Sequence, residues 1–499
     1  MARWAAIAVL WLATVAHVGS PDTYFAGPAG PYQIRVVVRS PGVVPGLAQI
    51  SVEILSAAAV NRVSVVPIYW DPRAAGSPPP DIAKPAGSEM RLFTAALWLM
   101  RGGAYGVKVT IEGAAGTGST LIPVQAVATR RLPLQGGLAA LLAVLGALLL
   151  AGAAALAGGA AREGSLTPGL EPDPRAVRRG RLAMGVSALI LAGLLVAARA
   201  WWHRVDAAHA AGLFRPLDMA ADVRETGSTE TLRLTINPSR PFRLSPLIPD
   251  HGHLVHLFLM RDSTYDAFAH LHPTAVDSFA FESSLPPLPA GSYEAFADIV
   301  NESGFAQTLT ARIGVSAVRA HWKASDADDS WWVGPLVNGA PSDTVVSLAD
   351  GSRMTWRRGA GQIVAGDDAR LVFGVVAPDG RPATLDPYMG MPGHLALARS
   401  DGSVFAHLHT SGTISFASQE AFEVRAPGDS VTGTLARRIT ALEAARHMGH
   451  ETARDTSNVV SFPYAFPRAG AYRIWVQVKR KGRILTGVFD CQVGDRPAS

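Results

Sequence analysis

Histidine is the residue type best placed to do chemistry in this 499-residue chain. The chain has 14 histidines, and ten fall in two stretches, residues 220–316 and 342–497. The two stretches share a repeat. His256-Leu-Phe-Leu-Met-Arg, a turn, and Phe268-Ala-His-Leu-His-Pro matches His394-Leu-Ala-Leu-Ala-Arg, a turn, and Phe405-Ala-His-Leu-His-Thr. Each unit reads as a β-hairpin. Asp401-Gly402 is a two-residue type I′ turn signal, and counting outward from it sets His394 opposite His409 and Ala396 opposite His407. Side chains alternate along a strand, so His394, Ala396, Ala398, Phe405, His407 and His409 share one face, with small alanines leaving room above the strand. Leu395, Leu397, Val404, Ala406 and Leu408 share the other, a core face. A three-residue turn at Ser263–Tyr265 puts His256 opposite His272, with His270 on the same face. Cross-strand β-carbons sit about 4.5–5.5 Å apart, so each trio of imidazoles can converge on one ion.

Neutral imidazole suits copper, zinc, nickel and iron alike. Further donors stand nearby: Asp250, His251 and His253 before the first hairpin, Met389 and Met391 before the second, and His447-Met448-Gly449-His450 in an inserted segment. Thioether beside imidazole, with no thiolate partner, favours copper. The expected metal site is therefore His256, His270, His272, His394, His407 and His409 with Met389 and Met391, and the expected cofactor is a copper ion. Two other readings stay open. Histidines inherited with a duplicated module can be structural, in a protein whose sandwiches dock an envelope partner, or they can sense protons, since histidine titrates near neutral pH.

Composition excludes several functions. Cys491 is the only cysteine, so neither an intrachain disulfide nor a multi-thiolate site can form. The net charge of +5 comes without a block of Lys and Arg, so no nucleic-acid partner is expected. A hydrophobic content of 48% excludes general disorder. Neither a Gly-x-Ser-x-Gly elbow, a His-Glu-x-x-His motif, a phosphate-binding loop nor a dinucleotide fingerprint occurs, so no enzyme is expected.

The elements that position the histidines are strands. Tyr32–Val38, Gln49–Leu55 and Arg62–Ile68 are short, β-branched and bounded by Pro and Gly. Helical periodicity is confined to Thr434–His447 outside the apolar runs. Gly103-Ala-Tyr, Gly291-Ser-Tyr and Gly470-Ala-Tyr each open a strand that is followed by a last strand. A Tyr placed so resembles the tyrosine corner of immunoglobulin-like sandwiches. The expected fold is mainly β: sandwich modules at 21–131, 220–316 and 342–497, with 317–341 as a linker or a cap on an interface. Residues 1–20 read as a secretory signal; cleavage after Ala16 would make His17 a terminal ligand. The uncharged runs within 132–161 and 182–202, the latter ending on Trp201 and Trp202, read as two transmembrane helices around a cytoplasmic loop, 162–181. Export of the first module then puts the later two outside the cytoplasm as well, in a bacterial inner membrane facing the periplasm.

Residues 220–499 resemble bacterial membrane-anchored proteins with YtkA-like or related sandwich domains. The likeness rests on Phe268-Ala-His-Leu-His-Pro, Tyr388-Met-Gly-Met-Pro-Gly-His, Phe405-Ala-His-Leu-His and the segment 467–493. The resemblance implies heavy-metal or copper handling in the cell envelope, in homeostasis or delivery to a client protein. Cys491 lacks the second cysteine of a copper-chaperone pair, a departure from the chaperones of oxidase assembly.

Overall fold

The computed structural model describes residues 17–18, 22–69, 77–86, 89–167, 169–226, 229–237, 245–316, 322–335, 344–359, 361–426, 429, 431–449 and 457–496. The signal-like segment lies outside them, apart from the short strand His17–Val18, and so do His450 and the side chains of His447 and Met448. The chain divides into two compact units, residues 1–126 with 216–499, and residues 127–215.

The smaller unit is a helical hairpin of α1, Gly136–Glu163, and α2, Pro174–Ala211, both long and apolar enough to cross a membrane. Asp173 caps α2 by accepting from the Ala176 N–H at 2.6 Å, and Pro174 occupies the first helical position, where a missing N–H costs nothing. α2 therefore starts eight residues before the expected span, and the expected loop 162–181 shrinks to Gly164–Asp173. The helices touch where neither has a side chain: a β-carbon on Gly180 would lie 2.8 Å from the Gly158 carbonyl oxygen. Small residues at such a crossing let two backbones approach closely.

Among the described residues the larger unit is sheet with two inserted helices. Six sheets pack around three large hydrophobic cores, with two smaller clusters beside them. In residues 22–126 a five-stranded sheet faces a four-stranded one over Val36, Ile50, Val65 and Val109. In residues 218–333 the strands Gly291–Asn301, His256–Arg261 and Ala267–Leu271 lie side by side, and Leu257, Leu259, Ala269 and Leu271 point into the core. In residues 345–494 the strands Gly470–Arg480, His394–Arg399 and Val404–His409 repeat that order, with Leu395, Leu397, Ala406 and Leu408 inward. The expected faces are the observed ones.

The glycines that open the three Gly-x-Tyr strands all need a positive φ, 136° at Gly103, 154° at Gly291 and 136° at Gly470. Behind them Tyr293 and Tyr472 are buried, and each hydroxyl donates to the carbonyl four residues upstream, Pro289 and Arg468, at 2.7 Å. Tyr105 differs: its hydroxyl accepts from the Arg101 N–H at 3.0 Å.

Within 317–341, expected as a linker or an interface cap, Ser330–Val333 adds a strand to the edge of Ala267–Leu271. Two expectations need correction. The Asp401-Gly402 turn is not type I′, which needs positive φ at both central residues. Gly402 alone has one, 71°, and its N–H bonds the Arg399 carbonyl. The Asp401 carboxylate accepts from the Ser403 N–H at 3.0 Å, a local bond that holds Asp401 in an ordinary conformation. The register survives: His394 pairs with His409 and Ala396 with His407. Finally, the space above Ala396 and Ala398 is filled. Both pack in one cluster with Phe258, Phe268 and Phe296 of the preceding module.

Candidate metal centre

The two histidine faces are buried against each other. Phe296 stacks on Phe405 at 4.1 Å, and Phe268 on Trp475 at 5.0 Å, across the module boundary. Beyond these rings lie the six expected histidines. His256, His270, His272, His394 and His409 are buried, and the His407 side chain keeps only 6% of its surface. One nitrogen each from His256, His270 and His272 lies within 4.8 Å of the other two, and His394, His407 and His409 form a second such group. The two triads abut: His256 and His407 have ring centroids 5.7 Å apart, His270 and His407 5.8 Å.

Each imidazole is held from outside by an acceptor. His256 Nε2 meets the Asp250 carbonyl at 2.9 Å, and His394 Nε2 the Tyr388 carbonyl at 3.2 Å. His272 Nδ1 lies 3.3 Å from the Asp329 carboxylate, and His409 Nδ1 2.8 Å from the Ile414 carbonyl. The middle histidines are held across the boundary. His270 Nδ1 meets Gln477 Oε1 at 2.9 Å, while His407 Nδ1 meets Asp298 Oδ2 at 3.1 Å. Gln477 is oriented by its own amide, which donates to Ser330 Oγ at 2.6 Å.

These partners fix the tautomers. Carbonyl and carboxylate oxygens only accept, so every outer nitrogen carries the proton and every inner one presents a lone pair. The consequence is unusual. His256 Nδ1 faces His270 Nε2 at 3.3 Å, and His394 Nδ1 faces His407 Nε2 at 3.3 Å. Each is then a pair of lone pairs with no hydrogen between them. The inner Nε2 atoms of His272 and His409 are buried without a partner. A cation among them would remove the repulsion, and the spacing suits one. Metal–nitrogen bonds of about 2.0–2.1 Å at tetrahedral angles put adjacent donors about 3.3–3.4 Å apart.

Burial holds His256 below the ordinary imidazole range, and His270, His272, His394 and His407 well below it. All five are therefore neutral at pH 7, the form that ligates. Burial also pushes Asp298 and Asp329 up, both to about 6.

Met389 is buried and Met391 half-buried in the turn Tyr388–Met391, just before His394. The Asp250–His253 turn is its counterpart, with the same backbone bridge and positive φ at His251 and Met389, 53° and 50°. His251 and His253 belong to the centre more fully than their sequence position implied. His251 lies 5.1 Å from His409, and His253 4.0 Å from His272, between ring centroids. Asp298, Gln477, Asp329 and Tyr388 were not among the expected site residues. A signal did exist for the first two: each stands seven residues after the glycine of its Gly-x-Tyr strand, at matching places in the repeat.

Residues 345–495 match a family model described as a domain of unknown function, DUF8832. A search of curated proteins returns no match. Among solved structures, Escherichia coli alpha-2-macroglobulin aligns over 97% of this chain and 23% of its own, at 8% identity and TM-score 0.18. The chain thus spans about a quarter of that protein. A Corynebacterium diphtheriae protein, provisionally described as membrane anchored, aligns over 96% of this chain and 97% of its own, at 12% identity and TM-score 0.14. Dimeric latent PorU from Porphyromonas gingivalis aligns over 95% and 34%, at 8% identity and TM-score 0.15.

Proposed function

We propose that this is a non-catalytic, membrane-anchored protein of the bacterial envelope that binds transition-metal ions at the two histidine triads, with copper as the physiological ion. One observation carries the reading: six imidazoles, each with its outer nitrogen committed to an acceptor, turn their lone pairs inward. A histidine kept only for packing gains nothing from an inner lone pair set against another. Outer acceptors of this kind orient and strengthen metal-bound histidines. Copper is favoured because Cu(II) heads the affinity order for nitrogen sites of ordinary geometry. The helical hairpin anchors three immunoglobulin-like modules on the periplasmic face, where the ions are collected or passed to a client protein.

The test uses the full chain in detergent, stripped of metal by a chelator. Calorimetric titration with Cu(II), and with Cu(I) under reductant, is expected to show two ions per chain. His409→Phe keeps a ring in place but removes one inner lone pair, and should abolish one site. If wild type takes up neither ion more tightly than the His272→Phe/His409→Phe double variant, the metal reading fails. The histidines would then serve the alternative role, packing a docking module together, for which the burial of Phe258 against His270 at 4.2 Å is the supporting contact.

A further inference from the structure

The two triads share a supplier. The turn Asp250-His251-Gly252-His253 belongs to the second module, yet its two histidines go to different triads. His251 stands 5.5 Å from His394 and 5.1 Å from His409, both of the third module. Within that triad the ring centroids are 5.5, 5.1 and 4.6 Å apart. His251 is therefore spaced from two of its members as they are spaced from one another. Its ring is buried, and its Nε2 has no hydrogen-bond partner. His253 turns the other way, 5.8 Å from His256 and 4.0 Å from His272. A ligand atom of His253, one of His272 and one of Asp326 lie within 4.8 Å of each other.

Backbone conformation makes this division possible. His251 has φ 53° and Gly252 φ 87°, so the chain reverses between the two histidines and points them apart. The turn is also gripped by the third module's inserted helices. Asp250 Oδ1 accepts from the Ala417 N–H at 3.0 Å, on the helix Phe416–Glu423. The Gly252 N–H donates to Glu443 Oε2 at 3.0 Å, on the helix Thr434–Gly449. The turn is thus fixed to both modules before any ligand arrives.

We propose that this turn supplies a further ligand to each site, His251 beside His394 and His409 of the third-module triad and His253 beside His272 and Asp326 at the second. The centre then comprises two four-ligand metal sites joined through one four-residue turn. The third-module site is incomplete without the second module. The proposal rests on the metal-binding reading above and adds a ligand to it.

His251→Asn tests it, because Asn tolerates the left-handed conformation that His251 adopts. The full chain in detergent is titrated with Cu(II) and with Zn(II), wild type against His251→Asn and His253→Asn. Loss of an outer partner of a metal-bound histidine costs about 10–100-fold in affinity. Loss of a ligand should cost at least tenfold, at one site only and at a different site in each variant. X-ray absorption of the two-ion wild type supplies a readout independent of any variant, and should give about four light-atom donors per ion. Uptake of two ions by wild type and by His251→Asn with equal affinities, or three donors per ion in wild type, overturns the fourth-ligand proposal and leaves the triads standing. No uptake by wild type overturns the metal reading itself, and this proposal with it.

Discussion

At the scale of the residue, the centre is decided by which imidazole nitrogen carries the proton. Each outer acceptor acts on one ring, and its removal should free that ring to flip or change tautomer. Asp329 holds His272 by the side chain and its backbone N–H, at 3.3 and 2.8 Å. Asp329→Ala removes the oxygen that accepts both bonds and frees that ring to turn or to change tautomer. Metal affinity at the second-module triad should fall about 10–100-fold, measured by competition with a chromogenic chelator. The pH dependence of stability follows from the same burial. Burial lowers the folded-state pKa values of His256, His270, His272, His394 and His407, and that of His251 to about 3. The unfolded chain therefore binds protons below about pH 6.5 that the folded chain refuses. Stability of the metal-free protein should be complete above pH 7 and fall as the pH drops below 6.5. Asp298 and Asp329 work the opposite way between their ordinary value and about 6, but they are two against six. Urea midpoints of the metal-free protein between pH 8 and 5 check the sign. A midpoint that rises on acidification would mean that the histidines are charged in the fold.

At the scale of the element, the repeat Gly-x-Tyr and the hairpin registers carry the argument. Tyr293→Phe and Tyr472→Phe each leave a carbonyl without its donor and should each cost about 1–3 kcal/mol, read from denaturant unfolding. Unchanged midpoints in both variants would show that the corners do not contribute. The Asp401-Gly402 turn makes a further prediction. A β-carbon on Gly402 would lie 3.0 Å from the Glu294 carboxylate, at a φ of 71° that side chains rarely adopt. Gly402→Val should destabilise by about 1–3 kcal/mol, while Gly402→Asn should be milder. In the helical hairpin, Gly180→Leu would drive a side chain into the α1 backbone, and should abolish crosslinking of engineered cysteine pairs across the two helices.

At the scale of the whole molecule, the larger unit is tied together by contacts that no single module predicts. Arg473 is 3% exposed and grips both sides of the boundary. It pairs with Asp490 at 2.7 Å and donates to the Tyr265 and Pro335 carbonyls at 2.9 and 2.7 Å. Removing one partner of a buried pair costs about 3–5 kcal/mol. Arg473→Met should loosen the docking of the second and third modules, seen as new protease cleavage near residues 317–341 and as weaker metal uptake by both triads. The first module also reaches the centre: the Ala26 N–H donates to the Ser411 carbonyl at 2.8 Å, two residues from His409. Metal binding is therefore expected to be strongest in the full chain and weaker in a fragment that begins after the helical hairpin.

The sequence by itself determined the local order. Period-two alternation made His394, His407 and His409 share a face, and turn position set their register. The tyrosines after positive-φ glycines marked the corners, and uninterrupted apolar runs marked the helices. Turn type was misread because the Asp401 side chain bonds its own backbone, a choice between two local minima that register does not reveal. What only the tertiary structure decided is that the two histidine faces meet. Alternation says which residues share a face, and nothing in it says what covers that face. The module packing turned two separate hairpins into one buried centre, crossed Asp298 and Gln477 to the opposite histidines, and set His251 beside His394 and His409. These contacts join residues more than 100 positions apart, so no local spacing could encode them.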